Sequence, residues 1–371
     1  MYYFDQAATS LKKPRVVADA MYEAICSETI GNPKTSLEAG RILYRTREVI
    51  KQLFKATNYH VVLTKNATEA LNIALKGLFH EGDHLITTVI EHNAALRPLY
   101  ELEEKGVELS FVGCDKQTGV LLYEQFEPLL TKQTKAVVVS HASNVTGNVT
   151  DLKWLSDFCQ KHQLQLIVDG AQSAGMIAAP LDDLGIDVFC FTGHKSLYGP
   201  QGTGGMCIKK GIEMRPLMTG GSGFATFSKI QPSSLPEALE AGTANVHSIA
   251  GLCAAVEWVL DADLFIKVSQ LTKYFFEAVN QIGGVQIYGD HSRLNSGIVA
   301  LNIKNYDSSE VSDTLFENYQ ILTRSGAHCA PLMHQHLGTE SQGMVRFSFS
   351  MFNTLEEVKY AVNAIKELVS S

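Results

Sequence analysis

Between about residues 60 and 210 the chain alternates short apolar, β-branched runs with longer stretches of helical period. The runs are VVLT, HLITTVI, LSFV, KAVVVSHAS, LQLIVDGAQ and DVFCFTGH, and segments such as TEALNIALKGLF and DLKWLSDFCQKH lie between them. This alternation predicts an α/β sheet, mostly parallel, with helices on its faces. Ligands of such sheets bind beyond the carboxyl ends of the strands. After Gly242 the pattern changes. Helical period runs from about Ser248 to Val279, followed by the strand-like VQIYG and SGIVALNIK, a helix near Ser309–Asn318, and the strands ILTRSG and MVRFSFS. A last helix opens at Thr354 with Glu357 three residues on, a capping box. These segments read as a smaller α+β domain. The expected division is a large domain over 15–250 and a small one made of 1–14 and 251–371.

Composition narrows the function. The 371 residues suffice for a large core, and 45% hydrophobic with 19% charged residues fits a folded chain. A net charge of -8 offers no basic stripe for nucleic acid. The start, MYYFDQAATSLKKP, has no basic region leading into an apolar stretch, and no apolar run reaches membrane-spanning length. Seven scattered cysteines without a C-x-x-C pair point to reduced thiols and a cytoplasmic location. The three N-x-[ST] matches, at Asn66, Asn144 and Asn148, read as coincidence with backbone needs.

The stretch CFTGHKSLYGPQGTGG, from Cys190 to Gly205, sets a lysine just past an apolar run. It fails the phosphate-loop pattern, because His194 stands where glycine must precede the lysine. Lys195 therefore needs another task. Each neighbouring strand also ends in polar groups. Ala67 and Thr68 open a helix whose amides form an anion site. His92 follows HLITTVI, and Asn144 follows AVVVS. Asp169 and Gln172 follow LQLIV, and Thr192 and His194 accompany Lys195. Taken singly, each has a plain alternative: a cap, a satisfied histidine, a carboxylate that ends a strand. Together they match the needs of pyridoxal 5'-phosphate. Lys195 would join the aldehyde, and Thr68, Thr192 and His194 would hold the phosphate. Asp169 would pair with the ring nitrogen, Gln172 and Asn144 would face the phenolic oxygen, and His92 would stack on the ring. The glycines of GPQGTGG would let backbone pass close to the lysine turn.

Seven pieces in order, KNATEALN, EHNAALRP, HASNVTG, VDGAQS, FTGHKSLYGPQGTG, EAGTAN and RSGAHCAPL, resemble the class V, fold-type I pyridoxal-phosphate enzymes. Within them the chain is similar to the cysteine desulfurase and selenocysteine lyase branch, from FDQAATS to VRFSFSMFNT. The resemblance implies a seven-stranded, mostly parallel sheet in the large domain. It implies a homodimer, in which Thr243 reaches the phosphate of the neighbouring subunit. It also implies that Cys329 accepts sulfur from L-cysteine, or selenium from L-selenocysteine, and passes it to an acceptor protein. The residues favour the same cysteine. Cys114, Cys190 and Cys207 lie in or beside apolar strands, and Cys26, Cys159 and Cys253 lie on helical segments, where all six are expected to pack as small hydrophobes. Cys329 sits in a turn beside His328, a setting that favours a thiolate. Arg346 is the candidate clamp for a substrate carboxylate, with Arg324 a weaker one. Arg346 follows Cys329 by 17 positions, a short cysteine loop similar to the group II branch.

Other readings share these residues. Another pyridoxal-phosphate reaction, such as transamination, would use the same core site. A zinc hydrolase is suggested by His328, Cys329, His334 and His336, but no helical H-E-x-x-H spacing accompanies them. The expectation is therefore no metal. A non-catalytic partner would have lost Lys195, Cys329 or Arg346, and all three are present.

Overall fold

The computed structural model describes residues 1–31, 36–223 and 226–370. After a two-residue strand β1 (Tyr2–Tyr3) and helices α1 (Arg15–Cys26) and α2 (Leu37–Phe54), the chain builds the large sheet. Its strands are β2 (Tyr59–Thr64), β3 (His84–Thr88), β4 (Glu108–Val112), β5 (Thr134–Ser140), β6 (Gln165–Asp169), β7 (Val188–Thr192) and β8 (Gly204–Lys209). Between them lie α3 (Ala67–Leu78), α4 (Asn93–Glu103), α5 (Leu152–His162) and the four-residue α6 (Leu181–Leu184). The strand order is β2-β8-β7-β6-β5-β3-β4, and β8 alone runs against its neighbours.

The period of two along each strand explains the two-sided core. Ala136 and Val138 of β5 enter the cluster formed with Leu71 and Leu75 of α3 and Leu99 of α4. Val137 and Val139 enter the opposite cluster, with Phe54 of α2 and Leu155 of α5. Each fully buried valine, leucine or phenylalanine among them contributes about 1.5–3 kcal/mol. Strand β8, GGMCIK, was not among the runs predicted from the sequence, because two glycines weaken its strand signal. The sheet requires those glycines. A Cβ on Gly204 would stand 2.8 Å from Asn66 Cα, and one on Gly205 would stand 2.6 Å from the Val62 carbonyl oxygen.

Helices α7 (Val246–Asp261) and α8 (Leu264–Val279) lead to β9 (Val285–Tyr288), β10 (Ile298–Ile303), α9 (Ser308–Tyr319), β11 (Ile321–Leu322), α10 (Pro331–Leu337), β12 (Val345–Ser348) and α11 (Leu355–Ser370). Strands β12, β10 and β9 form an antiparallel sheet. Val268 and Phe275 of α8, Leu315 of α9 and Ile365 of α11 share its core, together with Phe4. The predicted capping box is present, with Thr354 Oγ1 accepting from Glu357 N–H at 3.2 Å and Glu357 Oε2 from Thr354 N–H at 3.1 Å. One expectation needs correction. Only Ile321 and Leu322 of ILTRSG pair as a strand, parallel to β1; Arg324 adds a single antiparallel bridge to Arg346, and the chain then enters the cysteine loop. Helix α7 spans the boundary expected at 250/251, and its Leu252, Val256 and Val259 share a cluster with Val137 and Val139 of β5.

Candidate active site

Parallel strands place their carboxyl ends at one edge of the sheet, and the residues after β3, β5, β6 and β7 meet there with the start of α3. They enclose a cavity of about 290 Å³. Nine residues singled out in the sequence line it: Ala67, Thr68, His92, Asn144, Asp169, Gln172, Thr192, His194 and Lys195. Asn66 and Ser140 also line it, and so does Ala8, from an N-terminal segment that crosses back over the sheet edge.

Local structure explains each placement. Asn66, not Thr68, caps α3, its side chain accepting from Glu69 N–H at 2.9 Å. Thr68 is thereby released from capping and faces the cavity at a positive helix end. His92 caps α4 through Nδ1, which accepts from Ala94 N–H at 2.9 Å, so its proton sits on Nε2. Burial, with Lys195, Arg346 and Arg97 nearby, pushes His92 down to about 4 and leaves a flat uncharged ring near neutral pH. Asp169 ends β6 fully enclosed, with Oδ1 accepting from Ala171 N–H at 2.9 Å. Burial raises its carboxyl, an effect opposed by that hydrogen bond and by Lys195. Gln172 Nε2 donates to the Ala7 carbonyl at 3.1 Å. His194 Nδ1 lies 3.0 Å from Thr9 Oγ1, and burial beside Lys195 and Lys13 lowers its pKa to about 4.

Lys195 brings an amine into the cavity. Burial brings it down to about 8, and Arg346 adds to the effect, while Asp169, Asp5 and Cys329 oppose it. The glycine tract packs against its turn: Gly199 N–H donates to the Gly193 carbonyl at 2.7 Å, and a Cβ on Gly199 would stand 2.9 Å from that oxygen. Two buried oxygens of the lining, Thr192 Oγ1 and Asn144 Oδ1, have no hydrogen-bond partner among the described residues. An enclosed amine, a carboxylate, a helix N-terminus and unspent acceptors fit pyridoxal phosphate by size and by chemistry.

The cysteine loop sits at the rim. His328 and Cys329 both adopt left-handed backbone, with φ of 51° and 57°. Two hydrogen bonds fasten them: Asn144 Nδ2 to the His328 carbonyl at 2.6 Å, and Asn93 N–H to the Cys329 carbonyl at 2.8 Å. Cys329 is exposed. The expected help from His328 is not found. Its ring is buried and held far below its ordinary pKa, with Nε2 3.1 Å from the Arg324 carbonyl, so it supplies no positive charge.

A family model described as aminotransferase class-V matches residues 2–361. The chain belongs to that family. Among curated members it is 32% identical to a probable cysteine desulfurase of Methanothermobacter thermautotrophicus, covering 99% of this chain and 94% of the relative. It is also 32% identical to a cysteine desulfurase of Salmonella agona, over 99% and 93%. The solved apo structure of a cysteine desulfurase from Thermococcus onnurineus superposes with a TM-score of 0.90 at 30% identity, covering all of this chain and 94% of that one. The expected fold-type I architecture, a mostly parallel seven-stranded sheet with a smaller α+β unit, is the one observed.

The remaining residues expected in this class-V site lie outside the cavity. Arg346 is buried beside it on β12, with NH1 donating to the Asn144 carbonyl at 2.8 Å and NH2 to Asp5 Oδ1 at 2.9 Å. Its Nε is buried without a hydrogen-bond partner among the described residues. Asp5 was not singled out in the sequence, although FDQAATS contains it. Arg324 is exposed and meets Arg346 only through backbone hydrogen bonds. Thr243 is exposed in a separate hollow with Lys65 and Asn245. Cys26 does not pack as expected. It lies about 200° around α1 from the buried Ala24, and is exposed. The other five cysteines of that set are buried. Among the described residues no three His, Cys, Asp or Glu side chains are grouped to hold a metal, and no helix is long and apolar enough to cross a membrane.

Proposed function

We propose that this protein is a pyridoxal 5'-phosphate-dependent cysteine desulfurase, a sulfurtransferase that converts L-cysteine to L-alanine and leaves a persulfide on Cys329. One observation carries the reading: nine anticipated residues, Lys195 among them, line one cavity, and the loop bearing Cys329 is hydrogen-bonded to that cavity's rim. The names of the full-length relatives support it.

When bound, the cofactor supplies an electron sink for the charge left by breaking the substrate Cα–H bond. Lys195, Asp169, His92, Gln172, Asn144, Thr192, His194, Thr68 and the amides of Ala67 and Thr68 would hold it. Arg346 grips the substrate carboxylate through its unspent N–H groups, Nε among them, and so orients the Cα–H bond. The Lys195 amine, neutral for a larger fraction of the time than an ordinary lysine, takes the Cα proton. The Cys329 thiolate attacks the substrate sulfur, the Cβ–S bond breaks, and the carbon skeleton leaves as alanine after reprotonation. The balance is L-cysteine plus the Cys329 thiol giving L-alanine plus the Cys329 persulfide. An acceptor protein then takes the sulfur from the exposed loop. The active unit is a homodimer in the cytoplasm, with Thr243 of each subunit completing its neighbour's phosphate site.

The test is alanine and persulfide assay on cofactor-loaded enzyme supplied with L-cysteine or L-selenocysteine. Wild type should form both products from L-cysteine, and Cys329→Ala should bind cofactor normally yet form no persulfide. Turnover of L-selenocysteine alone would reassign the substrate. A protein that takes up no pyridoxal phosphate would overturn the proposal.

A further inference from the structure

Glu91 is a fully buried carboxyl outside the cavity that the proposed mechanism leaves unused. It lies in the turn between β3 and α4, next to His92. Its partners are neutral: Oε1 accepts from Thr88 Oγ1 at 2.6 Å and from Ser140 N–H at 2.9 Å, and Oε2 accepts from Ser140 Oγ at 2.7 Å. A buried carboxylate without a cation is costly, so three converging donors are a built arrangement rather than a by-product of packing. Ser140 is the last residue of β5 and lines the cavity, and its register partner on β6 is Asp169.

We propose that Glu91 is a positioning residue of this active site, tying the His92 turn to the end of β5 and placing a second buried carboxyl beside Asp169. The role of Asp169 in it rests on the functional reading above; the tie itself does not.

The charge follows from the surroundings. Burial raises the Glu91 carboxyl to about 7, its hydrogen bonds pull it down, and the charge on Asp169 raises it further. The flanking histidines, His92 and His141, are held neutral by burial at about 4 and do not compensate it. Glu91 therefore changes charge near neutral pH, and its negative form favours positive charge on whatever Asp169 faces. A folded-state pKa above the unfolded value of 4.5 stabilises the fold fully below that value, and the contribution is lost as pH rises through about 7.

The substitution E91Q tests this, because a glutamine keeps the acceptor toward Thr88 and the Ser140 amide while removing the charge. In cofactor-free protein the Tm of E91Q relative to wild type should climb by roughly 2 °C between pH 5 and pH 8. In loaded protein E91Q should keep cofactor affinity within about twofold, while the midpoint of the bound cofactor's visible pH titration falls by roughly half a unit. E91A should lose affinity about tenfold, through the broken tie. A Tm difference that is flat with pH, or a titration midpoint that does not move in E91Q, overturns the proposal. A wild-type protein without any cofactor band would instead sink the functional reading, and the cofactor-free Tm series would still decide the role of Glu91.

Discussion

The guanidinium of Arg346 and the carboxylate of Asp5 meet at 2.9 Å across 341 positions of chain. Arg346 has only 4% of its side chain exposed and Asp5 has 15%, so the pair is largely withdrawn from water. Asp5 fixes one edge of the guanidinium and the Asn144 carbonyl fixes another, which leaves Nε unspent.

Arg346→Lys keeps the charge but loses the planar fork. The loss of two charge-assisted hydrogen bonds, about 3 kcal/mol, should lower kcat/KM for L-cysteine roughly 100-fold, mostly through KM. Steady-state kinetics checks the magnitude. Arg346→Leu should in addition lower stability by about 3 kcal/mol, because Asp5 is left unpaired, and denaturant unfolding measures that loss.

Lys195 gives a pH signature in the cofactor-free protein. Its folded-state pKa of about 8 lies below the ordinary 10.5, chiefly through burial. A lysine depressed in this way destabilises the fold fully below pH 8, and the cost fades as pH rises toward 10.5. Lys195→Met should therefore raise Tm at pH 7, and the gain should shrink steadily above pH 8. Thermal melts from pH 7 to 10 decide it; a gain independent of pH would show that the amine is not the cause.

Gly204 tests the contact between β8 and α3. Its missing Cβ leaves room for Asn66 Cα and the Phe191 carbonyl, each 2.8 Å from where that atom would stand. Backbone does not yield cheaply, so Gly204→Ala should cost about 1–3 kcal/mol and shift the start of α3. Protection by inorganic phosphate or pyridoxal phosphate in thermal melts should weaken with it. Gly283→Ala, where beyond its chain neighbours no heavy atom of the described residues lies within 4 Å of the new Cβ, is the control and should stay within about 0.5 kcal/mol.

The sequence by itself determined the strand–helix alternation, the polar groups after five of the strands, the lysine turn and the singular cysteine. These are short-range properties: a period of two or 3.6, a cap, a residue at the carboxyl end of a strand. Only the tertiary structure decided which of several candidates did each job. Asn66 rather than Thr68 caps α3, because the cap depends on how the chain enters the helix from the sheet. Strand β8 exists because its glycines clear the backbone of elements distant in sequence, a fit that no local propensity reports. His328 is silenced by burial, Cys26 is exposed by the rotation of α1, and Asp5 and Glu91 acquire meaning from partners far along the chain. Burial and long-range pairing set charge states and orientation, and both are properties of the packed molecule rather than of any segment.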